Sequence, residues 1–257
     1  MQPPLPSLTS TWHNAPCPSI SPSRPELSAA NKTAVVTGAG SGIGRATAIS
    51  FSRAGASKLI LLGRTRSTLE ETQKLLSCAS EVHVVDITDE KRITEAAVSV
   101  GTWDTLILAA AVISNPASTN VKGTLIAVKA LLPTANPTHA TVIGYSAAIT
   151  SPATILKGLS AYGYLENPSV FAAALHPGMV ETEIFRGSGT DPTAVPLDSV
   201  ELSGNFAVWL ASEEAAFLNG RYVWANWDGD ELKVKAGEIQ ASQQLTAGIL
   251  GWPFSPA

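Results

Sequence analysis

The most informative spacing in the sequence is a glycine cluster at positions 38–44, in the pattern GxxxGxG. It directly follows a short apolar run and begins a helix-like segment. Glycine lets the backbone approach a pyrophosphate closely, and a helix N-terminus supplies free N–H donors and the positive end of the helix dipole. Between a strand and a helix, this pattern predicts a dinucleotide phosphate site. The candidate phosphate-binding residues are Gly38, Ser41, Gly42, Ile43 and Gly44.

The end of the second apolar run decides which dinucleotide the site prefers. A site selective for NAD usually has a carboxylate there, about 20 residues after the glycines, which accepts from the adenosine ribose 2′-hydroxyl. This sequence instead has Arg64 and Arg66 and no acid. Guanidinium groups suit a 2′-phosphate through bidentate, charge-assisted bonds, so we favour NADP(H) over NAD(H). The alternative is that both arginines are solvated residues at a helix start.

The elements that must position these residues alternate along the chain. Short, nearly continuous apolar runs predict strands at 33–37, 58–62, 82–85, 105–109, 141–145, 170–175 and 222–224. Helices are predicted at 42–54, 67–77, 89–100 and 120–132, with a further one from residue 206. Continuous apolar strands are typical of a sheet that helices cover on both faces. The alternation therefore predicts a single-domain α/β fold with a doubly wound, parallel sheet.

Composition limits the function classes. The chain has 257 residues, 45% of them hydrophobic and 15% charged, which predicts a sizeable core and excludes a disordered chain. A net charge of −4 without a basic run argues against nucleic acid or an anionic membrane as partner. Cys17 and Cys78 are too few and too far apart for a disulfide framework or a cysteine-based zinc site, so we expect no metal. Without an apolar span or a secretory signal, a cytoplasmic location is expected.

Three regions follow from composition along the chain. Residues 1–30 hold seven of the 17 prolines and predict an arm without a helix or a central strand. This arm is either loose or fastened to the domain surface by Trp12 and Ile20. Residues 31–230 are predicted to form the dinucleotide-binding and catalytic domain, and residues 231–257 a helical tail.

The glycine spacing resembles that of the short-chain dehydrogenase/reductase family rather than the GxGxxG of other dinucleotide-binding proteins. The resemblance covers residues 33–230, and the arm and tail resemble fungal members. It implies a Rossmann-like fold and an NAD(P)-dependent oxidoreductase that acts on a small carbonyl or alcohol substrate, by analogy in secondary metabolism. It also assigns Asp86 to the adenine, although a plain turn carboxylate is the alternative. The loop assigned to the nicotinamide contains Pro177, Gly178, Val180 and Thr182.

The resemblance implies three catalytic residues. Tyr162 is assigned as the general acid/base, Ser146 as the substrate-orienting hydroxyl and Asn120 as the supporting asparagine. A free tyrosine has a pKa of about 10, so it needs a nearby cation to exchange protons near neutrality. The family has a lysine four residues after the tyrosine, but position 166 here is Glu166. A carboxylate beside the phenol would raise its pKa.

Two connections are shorter than the family pattern requires. Residues 163–168 between Tyr162 and the next strand are too few for the family's helix, and so are residues 110–119 after the fourth strand. Two missing blocks of similar size suggest lost exons or a faulty gene model. Lys157 and Lys122 are candidate substitutes for the lysine, although both are more commonly surface residues.

Three hypotheses remain. The first is an NADP(H)-dependent oxidoreductase of reduced activity, the second a dinucleotide-binding or interaction protein without catalysis, and the third a degenerate chain that does not fold stably. The intact glycine cluster favours the first, whereas Glu166 and the short connections favour the others. Because the missing helix commonly lines the family's dimer interface, a homo-oligomer is possible but doubtful.

Overall fold

The computed structural model of the protein describes residues 7–114, 116–146 and 169–246. In these ranges, parallel strands form one sheet in the order β3-β2-β1-β4-β5-β6-β7. The strands are β1 (Thr33–Thr37), β2 (Lys58–Gly63), β3 (Ala79–Val84), β4 (Thr105–Leu108), β5 (Ala140–Tyr145), β6 (Val170–His176) and β7 (Tyr222–Trp224). The predicted doubly wound, parallel α/β fold is confirmed.

Helices cover both faces of the sheet. They are α1 (Gly42–Arg53), α2 (Arg66–Gln73), α3 (Glu90–Val100), α4 (Thr124–Leu131), α5 (Glu183–Gly187), α6 (Val200–Leu210), α7 (Gly229–Val234) and α8 (Ala236–Gln240). One core layer contains Phe206 and Trp209, whose rings meet edge to face at 4.9 Å, and the other contains Trp103. Within the described ranges, no helix has the length and apolar character needed to cross a bilayer.

Several predicted boundaries were wrong. The helix predicted for 67–77 is α2, which ends at Gln73, and the helix predicted from residue 206 is α6, which begins at Val200. Strand β3 begins at Ala79 rather than at position 82, because it lies at the sheet edge and its first three residues, an alanine and two polar residues, are exposed or partly exposed. The helix predicted for 120–132 is interrupted: a π-helix covers Ala117–Gly123 and α4 follows it. The predicted start of α3 is confirmed, since Asp89 accepts a hydrogen bond from the Arg92 N–H at 3.0 Å.

The strand order places a crevice between β1 and β4. Chain connections leave these two adjacent strands in opposite directions, towards β2 on one side and β5 on the other. In open parallel sheets, ligands bind at the carboxyl ends of strands where the order reverses in this way. The predicted glycine cluster follows β1 and therefore lies at this point.

The described part of the arm packs on the domain rather than lying loose. Trp12 is 6% exposed and Ile20 is 1% exposed, and both belong to the core layer beside α6. The Trp12 ring lies 5.8 Å from the ring of Trp224 in β7. Backbone N–H groups of Ser10 and Thr11 donate to the carboxylate of Glu231. Of the two alternatives from the sequence, the structure shows the fastened arm. The expectation of no helix was wrong, because short 3-10 helices cover Pro18–Ile20 and Pro25–Leu27. Each begins with proline, whose missing N–H has no partner to lose at the start of a helix.

A charged cluster around Glu214 ties the arm to the C-terminal elements. Arg24 donates to Glu214 Oε1 at 2.6 Å, and Lys233 and the Trp209 indole donate to Oε2 at 3.0 and 3.1 Å. The hydrogen bond from Arg24, against the opposing effect of burial, is the largest influence that lowers the Glu214 pKa to about 2. Glu214 therefore remains ionised in the folded protein across the ordinary pH range.

Replacing Glu214 with glutamine should destabilise the fold in a pH-dependent manner. Because the folded-state pKa is depressed, the contribution is present above the ordinary value near 4.5 and is lost as the pH falls through about 2. We expect Glu214→Gln to lower the free energy of unfolding near pH 7 by on the order of 1–3 kcal/mol and to flatten its acid dependence. Urea unfolding between pH 3 and 7 measures this, with the exposed neighbour Glu213→Gln as control. Equal effects of both substitutions would contradict the prediction.

Candidate functional site

A cleft of about 330 Å³ opens at the carboxyl ends of β1 and β4. Its walls come from the glycine cluster, the ends of β2 and β3, the segment after β4 and the start of α5. Eight of the predicted cofactor residues line it: Gly38, Ser41, Gly42, Ile43, Gly44, Arg64, Asp86 and Thr182. The fold thus brings together positions that are far apart in the sequence.

The backbone of the glycine cluster lies so close to neighbouring atoms that it leaves little space for side chains at its three family glycines. Gly38 has φ of +70°, and a Cβ there would lie 2.8 Å from the backbone of Ala110 after β4. Gly42 has φ of +50°, and its Cβ would lie 3.1 Å from Cγ2 of Thr182. At Gly44, a Cβ would overlap the carbonyl oxygen of Gly38. The close approach leaves room for a ligand over the N-terminus of α1.

Arg45 braces this loop, and the sequence analysis missed it. Its guanidinium donates to the carbonyl oxygen of Gly40 at 2.5 Å and to Thr72 Oγ1 at 3.0 Å, and it pairs with Glu71 at 3.1 Å. The side chain therefore ties the glycine cluster to α2. A basic residue directly after the last glycine was the available signal, but its direction around α1 could not be read from one sequence.

Arg64 and Asp86 lie at the same end of the cleft. Asp86 Oδ1 accepts from the N–H and the hydroxyl of Thr88, at 2.9 and 2.7 Å. Burial raises the Asp86 pKa, but these two bonds and the nearby Arg64 guanidinium together hold it below its ordinary value. Asp86 thus stabilises the turn that follows β3 and also lines the cleft. Arg66, by contrast, is 65% exposed, pairs with Glu70 at 3.5 Å and does not line the cleft.

The loop assigned to the nicotinamide is held mainly by Asp198. Asp198 Oδ2 accepts from the Met179 N–H at 2.6 Å, and its own N–H donates to the Met179 carbonyl at 2.7 Å. Ser203 donates to the carbonyl of Pro177, and Thr182 caps α5 by accepting from the Phe185 N–H at 3.2 Å. Of the four predicted loop residues, Thr182 lines the cleft, whereas Pro177, Gly178 and Val180 do not. Asp198 gave no signal in the sequence.

The predicted catalytic residues are only partly placed. Asn120 lies in the π-helix, where its amide group accepts from the Val112 N–H at 2.8 Å and donates to the Val112 carbonyl at 2.9 Å. Ser146 is buried after β5, and its N–H donates to the Leu175 carbonyl at 2.9 Å. Neither lines the cleft, although Thr119 beside Asn120 does. Tyr162, Glu166 and Lys157 lie outside the described residues.

Tyr145 lies next to Ser146, but its hydroxyl group is buried and hydrogen-bonded to neighbouring helices. Its hydroxyl lies 2.8 Å from Thr47 Oγ1 and donates to the carbonyl of Ser203 at 3.0 Å. Burial raises the pKa of this phenol well above its ordinary value. A phenol that is harder to ionise and already bonded to α1 and α6 is unsuited to proton exchange near neutrality.

Comparison with known proteins agrees with this geometry. A family model described as short chain dehydrogenase matches residues 32–164, just over half of the chain. A short chain dehydrogenase of Monascus purpureus is 32% identical, over 95% of this chain and 98% of its own. A short chain dehydrogenase/reductase of Claviceps purpurea is 29% identical, over 96% of this chain and 95% of its own.

Solved structures resemble the fold at lower identity. A short chain dehydrogenase from Mycobacterium paratuberculosis, solved with bound NAD, has a TM-score of 0.68 at 20% identity, and covers 78% of this chain and 98% of its own. A protein from Beutenbergia cavernae, solved with NADP at low occupancy, has a TM-score of 0.69 at 23% identity. The match covers 80% of this chain and 99% of the Beutenbergia chain.

The alignment with the Monascus relative also measures how much this chain lacks. The alignment is 290 positions long, and it includes 95% of the 257 residues of this chain, which is about 244. At the remaining positions, about 46, the relative has a residue and this chain has none. The two short connections found in the sequence are where we expect most of these positions. Despite the shortening, the chain retains the sheet, the cleft and the matching sequence, and it belongs to the short chain dehydrogenase family of NAD(P)-dependent oxidoreductases.

Proposed function

We propose that the protein is an NADP(H)-dependent oxidoreductase that acts on a carbonyl or alcohol substrate, with turnover weakened by the loss of the family's lysine. One observation carries this proposal: a single cleft joins the glycine cluster, Arg64, Asp86 and Thr182. The residues suit an elongated dinucleotide, since donors for phosphate lie in the middle and a charged pair lies at one end. Thr182 then marks the nicotinamide end.

The preference for NADP(H) rests on the charge at the end of β2. Arg64 is exposed, faces the cleft and lies near Asp86. Within the described residues, no hydrogen bond or ion pair involves its guanidinium, which leaves its donors available for a 2′-phosphate. Gly63 and Thr65, its neighbours in the cleft wall, supply no carboxylate for a 2′-hydroxyl.

The proposed chemistry places proton transfer on Tyr162. The nicotinamide supplies or accepts the hydride, and the phenol would exchange the proton on the substrate oxygen. Ser146 would orient that oxygen from the end of β5. Because both amide atoms of Asn120 are bonded to Val112, its side chain acts as a positioning group that holds the segment after β4 against the π-helix.

Exposed apolar side chains lie in and beside the part of the cleft next to α5, together with the carboxylate of Glu183. Ile184 lines the cleft and is exposed, and Ile113 is exposed next to α5, where its Cγ2 would lie 3.5 Å from a Cβ at Gly187. Met179 is a third exposed apolar side chain, in the loop that leads to α5. We infer that the substrate is a small molecule with an apolar body. A cytoplasmic location, a role in secondary metabolism and a doubtful homo-oligomer stay predictions.

A second candidate is a dinucleotide-binding protein without turnover. It is favoured by Glu166 at the position of the lysine and by the roughly 46 positions that the chain lacks relative to the Monascus protein. Both candidates predict dinucleotide binding in the same cleft. They differ in ketone reduction, which therefore distinguishes them.

The cofactor preference is tested with two arginine variants. We expect NADPH to bind about tenfold more tightly than NADH, since a charge-assisted bond to phosphate contributes about 1.5–3 kcal/mol. Arg64→Ala should remove most of that difference, whereas the matched control Arg66→Ala should keep it, because Arg66 pairs with Glu70 outside the cleft. Fluorescence titration of each cofactor against each variant measures this. Equal affinities of the unmutated protein for NADPH and NADH would overturn the preference.

A further inference from the structure

Three metal-binding side chains meet outside the cleft, where the arm crosses the end of the sheet. The ligand atoms of His13, Cys17 and Asp228 all lie within 4.8 Å of one another. Nε2 of His13 lies 2.8 Å from Oδ2 of Asp228. All three side chains are half-buried, so they are shielded from bulk water but still reachable by an ion.

The backbone around these residues is already fixed. The His13 N–H donates to the Asn226 carbonyl at 2.8 Å, and the Asn226 side-chain amide donates to the His13 carbonyl at 2.8 Å. The Asp228 N–H donates to Thr9 Oγ1 at 3.3 Å. Oδ1 of Asp228 accepts from the Glu231 N–H at 2.9 Å, which leaves Oδ2 directed at His13. The backbone of His13 and Asp228 is therefore held in place, and an ion would replace the hydrogen bond between Nε2 of His13 and Oδ2 of Asp228, with release of its proton.

The combination of ligands selects the kind of ion. An imidazole, a thiol and a carboxylate are the three side chains that bind zinc, whereas calcium and magnesium take oxygen ligands. A tetrahedral zinc ion holds its ligand atoms roughly 3–4 Å apart, which small side-chain rotations from the observed arrangement achieve. One thiolate and one carboxylate balance the charge of Zn²⁺, so the half-buried site would be close to neutral.

We propose that His13, Cys17 and Asp228 bind a zinc ion that fastens the N-terminal arm to the turn between β7 and α7. Three protein ligands leave a fourth position for water. Zinc would stabilise the folded chain because it joins residues that are about 200 positions apart in the sequence. Our sequence-based expectation of no metal considered cysteine spacing alone and could not include Asp228.

Zinc binding by the full-length protein tests this site. After removal of metals by a chelator, Zn²⁺ is titrated against a chromophoric competitor for the unmutated chain and for His13→Gln, Cys17→Ser and Asp228→Asn. We expect one ion per chain and at least about 10–100-fold weaker binding for each variant. Cys78→Ser is the matched control, because Cys78 is a half-buried cysteine outside the cluster, and its zinc affinity should be unchanged.

Two further measurements keep the outcome clear if a variant folds poorly. Cobalt in place of zinc should give a sulfur-to-metal charge-transfer band that Cys17→Ser removes and Cys78→Ser retains. Zinc should raise the unfolding temperature of the unmutated chain, and equal concentrations of magnesium should not. The proposal is overturned if zinc binds equally well to all variants, or if the unmutated chain binds none and gives no charge-transfer band. The hydrogen bonds that His13 makes with Asp228 and Asn226 would then hold this part of the arm without a metal.

Discussion

Ketone reduction with NADPH is expected to be weak or undetectable near pH 7 for the chain as it stands. A segment of helical length, inserted after Tyr162 with Tyr-x-x-x-Lys spacing, should raise the rate by about 10²–10⁴-fold, the usual contribution of general acid–base catalysis. The expected reason is electrostatic. A carboxylate at position 166 would oppose ionisation of the Tyr162 phenol, whereas a lysine would favour it and would bind the nicotinamide ribose. Steady-state oxidation of NADPH with a panel of apolar ketones measures the difference.

Two variants show which feature is responsible. Glu166→Lys alone should restore little activity, because the seven residues between Tyr162 and β6 are too few for the family's helix, which we expect is needed to hold position 166 over the ribose. Tyr162→Phe in the chain with the insertion should abolish the gain. Brisk, Tyr162-dependent turnover by the chain as it stands would refute this prediction, since another group would then supply the cation.

The structure limits which lysine could supply this cation. Lys122 is exposed and lies near Glu90 on α3, where it contributes to lowering the Glu90 pKa, although the hydrogen bond from Lys129 contributes more. A lysine directed towards α3 is poorly placed to serve the cleft. Lys157 is therefore the first variant to test if unexpected turnover is found.

The sequence predicted those features that depend on local pattern. Central strands such as β4 are buried on both faces and read as continuous apolar runs, so their positions were predicted closely. Edge strand β3 was predicted too short, because one exposed side removes that signal. Likewise, the backbone demands at Gly38 and Gly42 are visible in the sequence, since glycine adopts a positive φ angle most readily and has no Cβ to obstruct the close contacts there.

The features that were missed depend on tertiary contacts. Asp198 holds the loop at Met179 from a segment whose composition gave no indication of that contact. Arg45 reaches the carbonyl of Gly40 and the side chains of α2 only once α1 and α2 have packed. The π-helix around Asn120 was likewise missed, because apolar periodicity does not distinguish a short π-helix from an α-helix.

Gly42→Val is expected to weaken dinucleotide binding by at least about tenfold, or 1.4 kcal/mol, while the core stays folded. A Cβ at this position would lie 3.1 Å from Cγ2 of Thr182, so the valine would occupy the space between the glycine cluster and α5. The pyrophosphate is expected to pass through that space to reach the N-terminus of α1. NADPH titration by fluorescence, together with the unfolding temperature, measures both effects.

Gly55→Val is the matched control for this substitution. Gly55 also has a positive φ, +82°, but a Cβ there has no atom within 4 Å. Valine at Gly55 therefore introduces backbone strain of about 1–2 kcal/mol without entering the cleft. We expect it to lower the unfolding temperature and to leave NADPH affinity unchanged. Normal binding by Gly42→Val would mean that the phosphate site lies elsewhere, and equal losses of affinity in both variants would attribute the effect to strain rather than to the cleft.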